Sequence, residues 1–103
     1  MTGRSEAMFE ISVKITAMSQ LGRYLGWTEC LLPTKNQTVR GVLSEIAQKD
    51  GKFRDKVYNP TSGRFHEEIV ILIDGINIKQ RNGLDTPVFN NSEIACFYPF
   101  GGG

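Results

Sequence analysis

The residues with the plainest chemical potential are the last six, Tyr98-Pro99-Phe100-Gly101-Gly102-Gly103, which follow a strand-like run and place a carboxylate on a residue without a side chain. With glycine usage near ~7%, a chance terminal pair is roughly a 0.5% event and a chance triple is rarer by more than tenfold, so composition alone does not explain it. Lacking a Cβ, such residues thread a narrow channel in any backbone conformation, and the carboxyl carbon of Gly103 is sterically open. Fully extended, Phe100 to Gly103 reach about 13 to 14 Å from the body, far enough to enter another protein's active site. The plain alternative is a frayed tail or an expression scar, since termini need no function. Against it stands Ile94-Ala95-Cys96-Phe97-Tyr98, which is β-branched, aromatic and apolar. It reads as a buried strand that Pro99 ends, so the glycines leave from the core.

Other candidates for chemistry are weaker. His66 stands alone beside Glu67 and Glu68, where a solvated turn or strand start fits better than a metal site, which needs several donors at defined spacing. Cys30 and Cys96 lie far apart in strand-like segments without a CxxC pattern, and they read as buried free thiols in a cytoplasmic type of composition. Gly22-x-x-x-Gly26 lacks the lysine of a phosphate loop and reads as turn punctuation. Lys49, Lys52, Arg54 and Lys56 are interrupted by Asp50 and Asp55, the pattern of a solvated face rather than a nucleic-acid patch. A formal charge of +1 over 103 residues, with no block of one sign, implies neither nucleic acid nor an anionic membrane as partner. The longest apolar run, Ile69 to Ile73, is far too short to span a bilayer, and the first residues show no signal-peptide pattern.

The elements that must position the tail follow from periodicity. Residues 1–8 show none and read as a disordered extension, 9–99 as one domain and 100–103 as the tail. Phe9, Ile11, Val13, Ile15 and Ala17 alternate with polar residues, the signature of a strand with one wet face. Met18 to Gly26 reads as a loop or irregular turn, and Trp27 to Leu32 as an antiparallel second strand terminated by Pro33. Thr38 is the expected N-cap of a helix whose stripe is Val39, Val42, Leu43, Ile46 and Ala47, with Gly51 at the left-handed C-cap. Gly41 stands where a capping box would want Glu, which weakens the first turn. Phe53 and Val57 fit one more helical turn before the turn cluster Asn59-Pro60-Thr61-Ser62-Gly63. Ile69 to Ile73 is apolar on both faces, Asp74-Gly75 is a hairpin turn into Ile76-Asn77-Ile78, Arg81 to Phe89 is irregular, and the last strand starts near Glu93. Two strands, one helix and further strands favour an α+β sheet with one main helix on one face. In the last strand Phe97 alternates with Ile94, Cys96 and Tyr98. It therefore faces outward, where an aromatic is costly unless a partner covers it; half-cover by a neighbouring strand is the ordinary alternative.

This order of elements, together with the terminal Tyr98 to Gly103, the Thr38-Val39 helix start with Leu43, the Asp74-Gly75 turn and Leu84-Asp85-Thr86-Pro87, resembles the ubiquitin-like β-grasp sulfur-carrier family. Its members include MoaD, the small subunit of molybdopterin synthase, the thiamine-pathway carrier ThiS, and the archaeal small modifier proteins. The chain departs from the pattern at Asn90-Asn91-Ser92-Glu93, where relatives have Asp-Gly-Asp, at Tyr98-Pro99 in place of Pro-Pro, and at Thr16, an outer position that is aromatic in some relatives.

The resemblance implies a mixed four- to five-stranded sheet with a flexible C-terminal glycine tail, and a carrier rather than a catalyst. An adenylating, ubiquitin-activating-type enzyme would use ATP and magnesium to convert the Gly103 carboxylate to an acyl-adenylate. The reason is simple: a carboxylate with a pKa of roughly 3.5 is ionised at neutral pH and is a poor electrophile until given a leaving group. Sulfur transfer then yields a thiocarboxylate, or a lysine amine gives an isopeptide bond. The implied partners are the adenylating enzyme and either the large subunit of molybdopterin synthase or lysine-bearing target proteins. Phe100, Gly101 and Gly102 would be read by the tail channel, with Phe97 and Pro99 on the partner-binding surface. No catalytic residue, bound cofactor or metal is expected of this chain. The alternative is a ubiquitin-like binding module whose tail is never activated, and sulfur donor and modifier are not separable from the sequence.

Overall fold

Alternation along Ile11–Ala17 (β1) buries Val13, Ile15 and Ala17 and leaves Ser12, Lys14 and Thr16 half-exposed, so one face of the strand is committed to the core. The computed structural model describes residues 10–99, and the sequence expectations for residues 1–8, Phe9 and Phe100 to Gly103 lie outside them. β1 pairs antiparallel with Glu29–Thr34 (β2). After the helical middle of the chain come a two-residue hairpin, Tyr58–Asn59 (β3) with Arg64–Phe65 (β4), then Val70–Ile73 (β5), Ile76–Asn77 (β6) and Glu93–Phe97 (β7). The main sheet has five strands in the order β2-β1-β7-β5-β6. It is mixed, because β7 runs parallel to β1, with Ile15 opposite Ile94, and antiparallel to β5, with Cys96 opposite Ile71.

The main helix forms where the stripe predicts it, over Val39–Lys49 (α2). Thr38 caps it by accepting from the Gly41 N–H at 3.2 Å, and the five stripe residues are all buried. Gly41 has a reason beyond the cap. A Cβ there would lie 2.5 to 2.9 Å from the Asn36 side chain, which donates to Thr34 Oγ1 and Glu45 Oε1 at 3.3 and 2.9 Å. Thr34, itself buried, donates to the same carboxylate at 2.6 Å. This network ties the end of β2 to α2.

Three sequence expectations change. Gly51 is not the helix C-cap. Asp50 closes α2 and opens a second helix, Gly51–Lys56 (α3), its Oδ1 accepting from the N–H groups of Lys52 and Phe53 at 3.0 and 3.2 Å. Its other oxygen takes the Trp27 indole N–H at 3.0 Å, and Trp27 stacks on the buried Phe53 with ring centroids 6.2 Å apart. A carboxylate that satisfies three donors overrides the glycine signal.

Pro33 does not terminate β2 but sits within it. The Ala17 N–H donates to the Thr28 carbonyl at 2.9 Å, so the bonding pairs fall on Cys30, Leu32 and Thr34, and the backbone of Pro33 points away from β1. β2 is an edge strand, and a residue without an N–H is tolerated on that side.

The third change is that Met18 to Gly26 is not a loop. Ser19–Leu25 is a helix (α1), with Leu21, Gly22 and Leu25 buried and Gly26 closing it in the left-handed conformation at φ 87°. Gly22 is there for close approach. A Cβ on it would lie 2.6 Å from the Ala17 carbonyl oxygen and 2.9 Å from Thr28 Cγ2. The two glycines hid a helix because they serve packing and capping rather than a turn.

Other expectations hold with shifted bounds: the second strand begins at Glu29 rather than Trp27, and Ile78 leaves the short strand for a 3-10 turn. Asp74-Gly75 joins β5 to β6, and 82–92 is irregular apart from a 3-10 turn at Gly83–Asp85. β7 begins at Glu93. Ile69, Ile71 and Ile73 are buried, and Val70 and Leu72 take the opposite face. Substituting Gly22 by Ala raises local helix propensity by up to ~1 kcal/mol, yet it should lower stability by about 1 to 2 kcal/mol net because the clash is with backbone. Urea unfolding measures this; a variant as stable as the parent would show that α1 can retreat from β1 without loss.

Candidate functional site

The strand that leads to the tail lies at the centre of the sheet. β7 has a neighbour on both edges, Ile94 and Cys96 are 0% exposed, and Tyr98 packs partly buried against the same core. Pro99 is the last described residue and is exposed. Whatever follows Pro99 is therefore held at its root by a buried strand.

Phe97 lies on the other face, half-buried and outside the core cluster, with Val70 directly beside it in register. Ala95 and Leu72 form the next pair along. Both sequence alternatives for Phe97 thus hold in part: it faces outward, and a neighbouring strand half-covers it. Val70, Leu72, Ala95 and Phe97 make an apolar zone next to the tail exit. Towards the other end of the same face the chemistry turns polar. Thr16 Oγ1 donates to Glu93 Oε2 at 3.2 Å, and Lys14 Nζ pairs with Glu29 Oε2 at 3.6 Å. Leu31, 66% exposed, stands beside Lys14. A face that is apolar at the exit and ionic at the far edge is suited to a partner that approaches in one orientation.

The remaining sequence candidates are placed away from this face or are otherwise engaged. His66 is exposed and uses its backbone N–H for the Val57 carbonyl at 2.8 Å. The described residues hold no group of three or more His, Cys, Asp or Glu side chains arranged for a metal ion. Lys52 and Lys56 sit over the Tyr24 ring, 5.6 and 5.5 Å from its centroid, while Lys49 and Arg54 lie 4.0 and 3.9 Å from Glu45 and Asp55. No helix among the described residues is long and apolar enough to cross a membrane. Cys30 and Cys96 are both free thiols; Cys30 is half-buried rather than buried, and burial pushes Cys96 from its ordinary value near 9 up to about 12.

With this geometry in place, the family of the chain follows from its sequence pattern. The sequence pattern described as the ThiS family matches residues 18–103, and the chain belongs to that family of ubiquitin-like carriers. The solution structure of small archaeal modifier protein 1 from Methanosarcina acetivorans is similar at 25% identity and a TM-score of 0.73, covering 92% of this chain and 99% of that one. Urm1 from Trypanosoma brucei shares 12% identity over the whole of both chains, with a TM-score of 0.69. A chain of the BexX/CysO complex from Amycolatopsis orientalis shares 16%, covering 88% of this chain and 99% of that one, at 0.66. The last two likenesses are of fold: the ubiquitin-like β-grasp. No curated protein matches the chain in sequence.

The enclosure of Cys96 is testable. A thiol held neutral by the fold contributes stability that is whole below about pH 9 and is lost as pH rises towards about 12, because the unfolded chain releases that proton more readily. In native protein a thiol reagent should label Cys30 and leave Cys96 unmodified, and Cys96→Ala should flatten the alkaline loss of stability. Equal labelling of both thiols under native conditions would contradict the burial.

Proposed function

We propose that this chain is an activated carrier whose Gly103 carboxylate is the reacting group. One carboxylate oxygen attacks the α-phosphorus of ATP in a partner adenylating enzyme that also holds magnesium, with pyrophosphate as leaving group. Hydrosulfide then displaces AMP to give a thiocarboxylate, or a lysine amine displaces AMP and loses a proton to give an isopeptide bond. The partners are that enzyme and either the large subunit of a molybdopterin synthase or lysine-bearing targets. The observation that carries the reading is the direct run from the buried β7 into Pro99-Phe100-Gly101-Gly102-Gly103, with the family match extending through Gly103.

The division of labour follows from the chemistry. Activation, metal and leaving group are supplied by the enzyme, so the carrier needs only a fixed root, a narrow tail and a docking face. Gly101 and Gly102 admit the tail to a channel too tight for side chains, Phe100 is the one bulky side chain within it, and Phe97 and Pro99 meet the enzyme's surface. The similarity to an archaeal modifier at 25% identity favours conjugation to lysines as one outlet. The fold is equally suited to sulfur delivery, since both outlets use the same adenylate.

Incubation with the adenylating enzyme, ATP and magnesium should give pyrophosphate exchange and a heavier intact chain. Removing Gly103, or Gly102 and Gly103, withdraws the carboxylate by about 3.5 Å per residue, so the shortened chain should bind but not react. One residue added after Gly103 should block the reaction as well. In the same system Phe97→Ala should weaken the complex by about 1 to 3 kcal/mol with little change in stability. If shortened and extended chains were adenylated as fast as the parent, the tail would be a spacer and the chain a ubiquitin-like binding module. Equal binding by the Phe97 variant in calorimetry would remove that side chain from the docking face.

A further inference from the structure

Strand β6 pairs with β5 only at Leu72↔Asn77 and Ile73↔Ile76, then leaves the sheet as a 3-10 turn over Ile78–Gln80. The first half of β5 therefore has a strand partner on the β7 side alone. The parity of the ladder identifies the groups that face the gap. The Asp74 N–H donates to the Glu93 carbonyl at 2.8 Å, so Asp74, Leu72 and Val70 direct their backbone groups to β7, while Ile71 and Ile73 direct theirs away. Ile73 meets Ile76 across the hairpin, and the Leu72↔Asn77 pairing directs Ile78 to the Ile71 carbonyl, so the ladder stops there and leaves the Ile71 N–H without a strand partner on that side. Beside it lies a groove of about 590 Å³ whose apolar walls include Ile69, Val70, Tyr98 and Pro99.

We propose that this groove accepts an extended basic and apolar segment of a partner protein, which adds as a strand beside Ile71 and sets a lysine or arginine against Glu67 and Glu68. Two observations choose this occupant. The first is charge: Glu67 and Glu68 line the groove, both are exposed, and neither pairs with a cation among the described residues. Lys79 is the one basic residue in the lining, so acid outnumbers base there. The second is the shape of the edge. An edge left open from the Ile71 N–H towards Ile69 offers main-chain hydrogen bonding to an added strand, and the apolar walls accept alternate side chains. The chain's own last four residues fit less well, because they would bring a carboxylate towards two glutamates. Since Tyr98 and Pro99 form part of the wall, the occupant lies against the root of the tail, and a protein that holds both the tail and this groove is engaged at two linked points. The groove is a docking site whether or not Gly103 is ever activated.

The test uses the full chain, isotope-labelled for NMR, with a short end-blocked peptide of alternating arginine and valine as probe and its glutamate-valine counterpart as control. The basic peptide should shift the amides around Ile69, Ile71 and Ile78 saturably, and the acidic one should leave them in place. In the chain carrying Glu67→Gln and Glu68→Gln, affinity for the basic peptide should fall by about fivefold, while Lys79→Gln should not weaken it. The proposal is overturned if the shifts fall on Ala95 and Phe97 instead, if the acidic peptide binds equally, if the glutamine variant binds as well as the parent, or if no peptide binds. It is overturned in favour of the chain's own tail if deleting Phe100 to Gly103 moves the groove amides in the absence of peptide.

Discussion

The pairing of β1 with β7 fixes where the chain leaves the fold. A parallel ladder between the first strand and the last closes the chain on itself. It places Ile15 beside Ile94 and Ala17 beside Cys96 and brings the end of the sequence to the middle of the sheet rather than to an edge. The inner face of this parallel pair is covered. Here α1 and α2 contribute Leu21, Leu25, Val39, Leu43 and Ile46 to the core beneath them. Because Ile94 and Cys96 are fully enclosed, the chain reaches Pro99 from a buried anchor.

The same arrangement separates two surfaces that a partner can use. Phe97, Ala95, Val70 and Leu72 form an apolar zone on the outer face, beside the exit. The groove along β5 lies where β6 leaves the sheet; it shares Val70 with the outer zone and adds Glu67 and Glu68 to its apolar walls. On the function proposed above, such a chain would present its own terminus as the substrate and leave nucleotide, metal and acceptor to its partners.

Much of this was legible in the residues. The alternation of Val13, Ile15 and Ala17, the stripe from Val39 to Ala47 under the Thr38 cap, the Asp74-Gly75 turn and the start of β7 at Glu93 all emerge from local chemistry that tertiary contacts reinforce. What escaped depended on neighbours that no short window contains. Gly22 signals a turn until Ala17 and Thr28 are seen to leave no room for a Cβ. Pro33 signals a strand end until its missing N–H is seen to face the open edge. Gly51 signals a stop until Asp50 caps the next helix and holds Trp27. For the site, alternation placed Phe97 outward, but the groove beside Ile71 could not be read in advance, because it exists only where β6 leaves the sheet.

The central claim is that the Gly103 carboxyl group is chemically transformed in the cell. The most direct measurement is the intact mass of the chain isolated from its own cells, together with a search of the same extract for lysines carrying its C-terminal glycines. The account predicts a fraction in which sulfur replaces one carboxylate oxygen, or lysine conjugates through Gly103, and predicts the loss of both when Gly103 is deleted. A chain recovered only as the free acid, with no conjugates and unaffected by disruption of the adenylating enzyme, would contradict it.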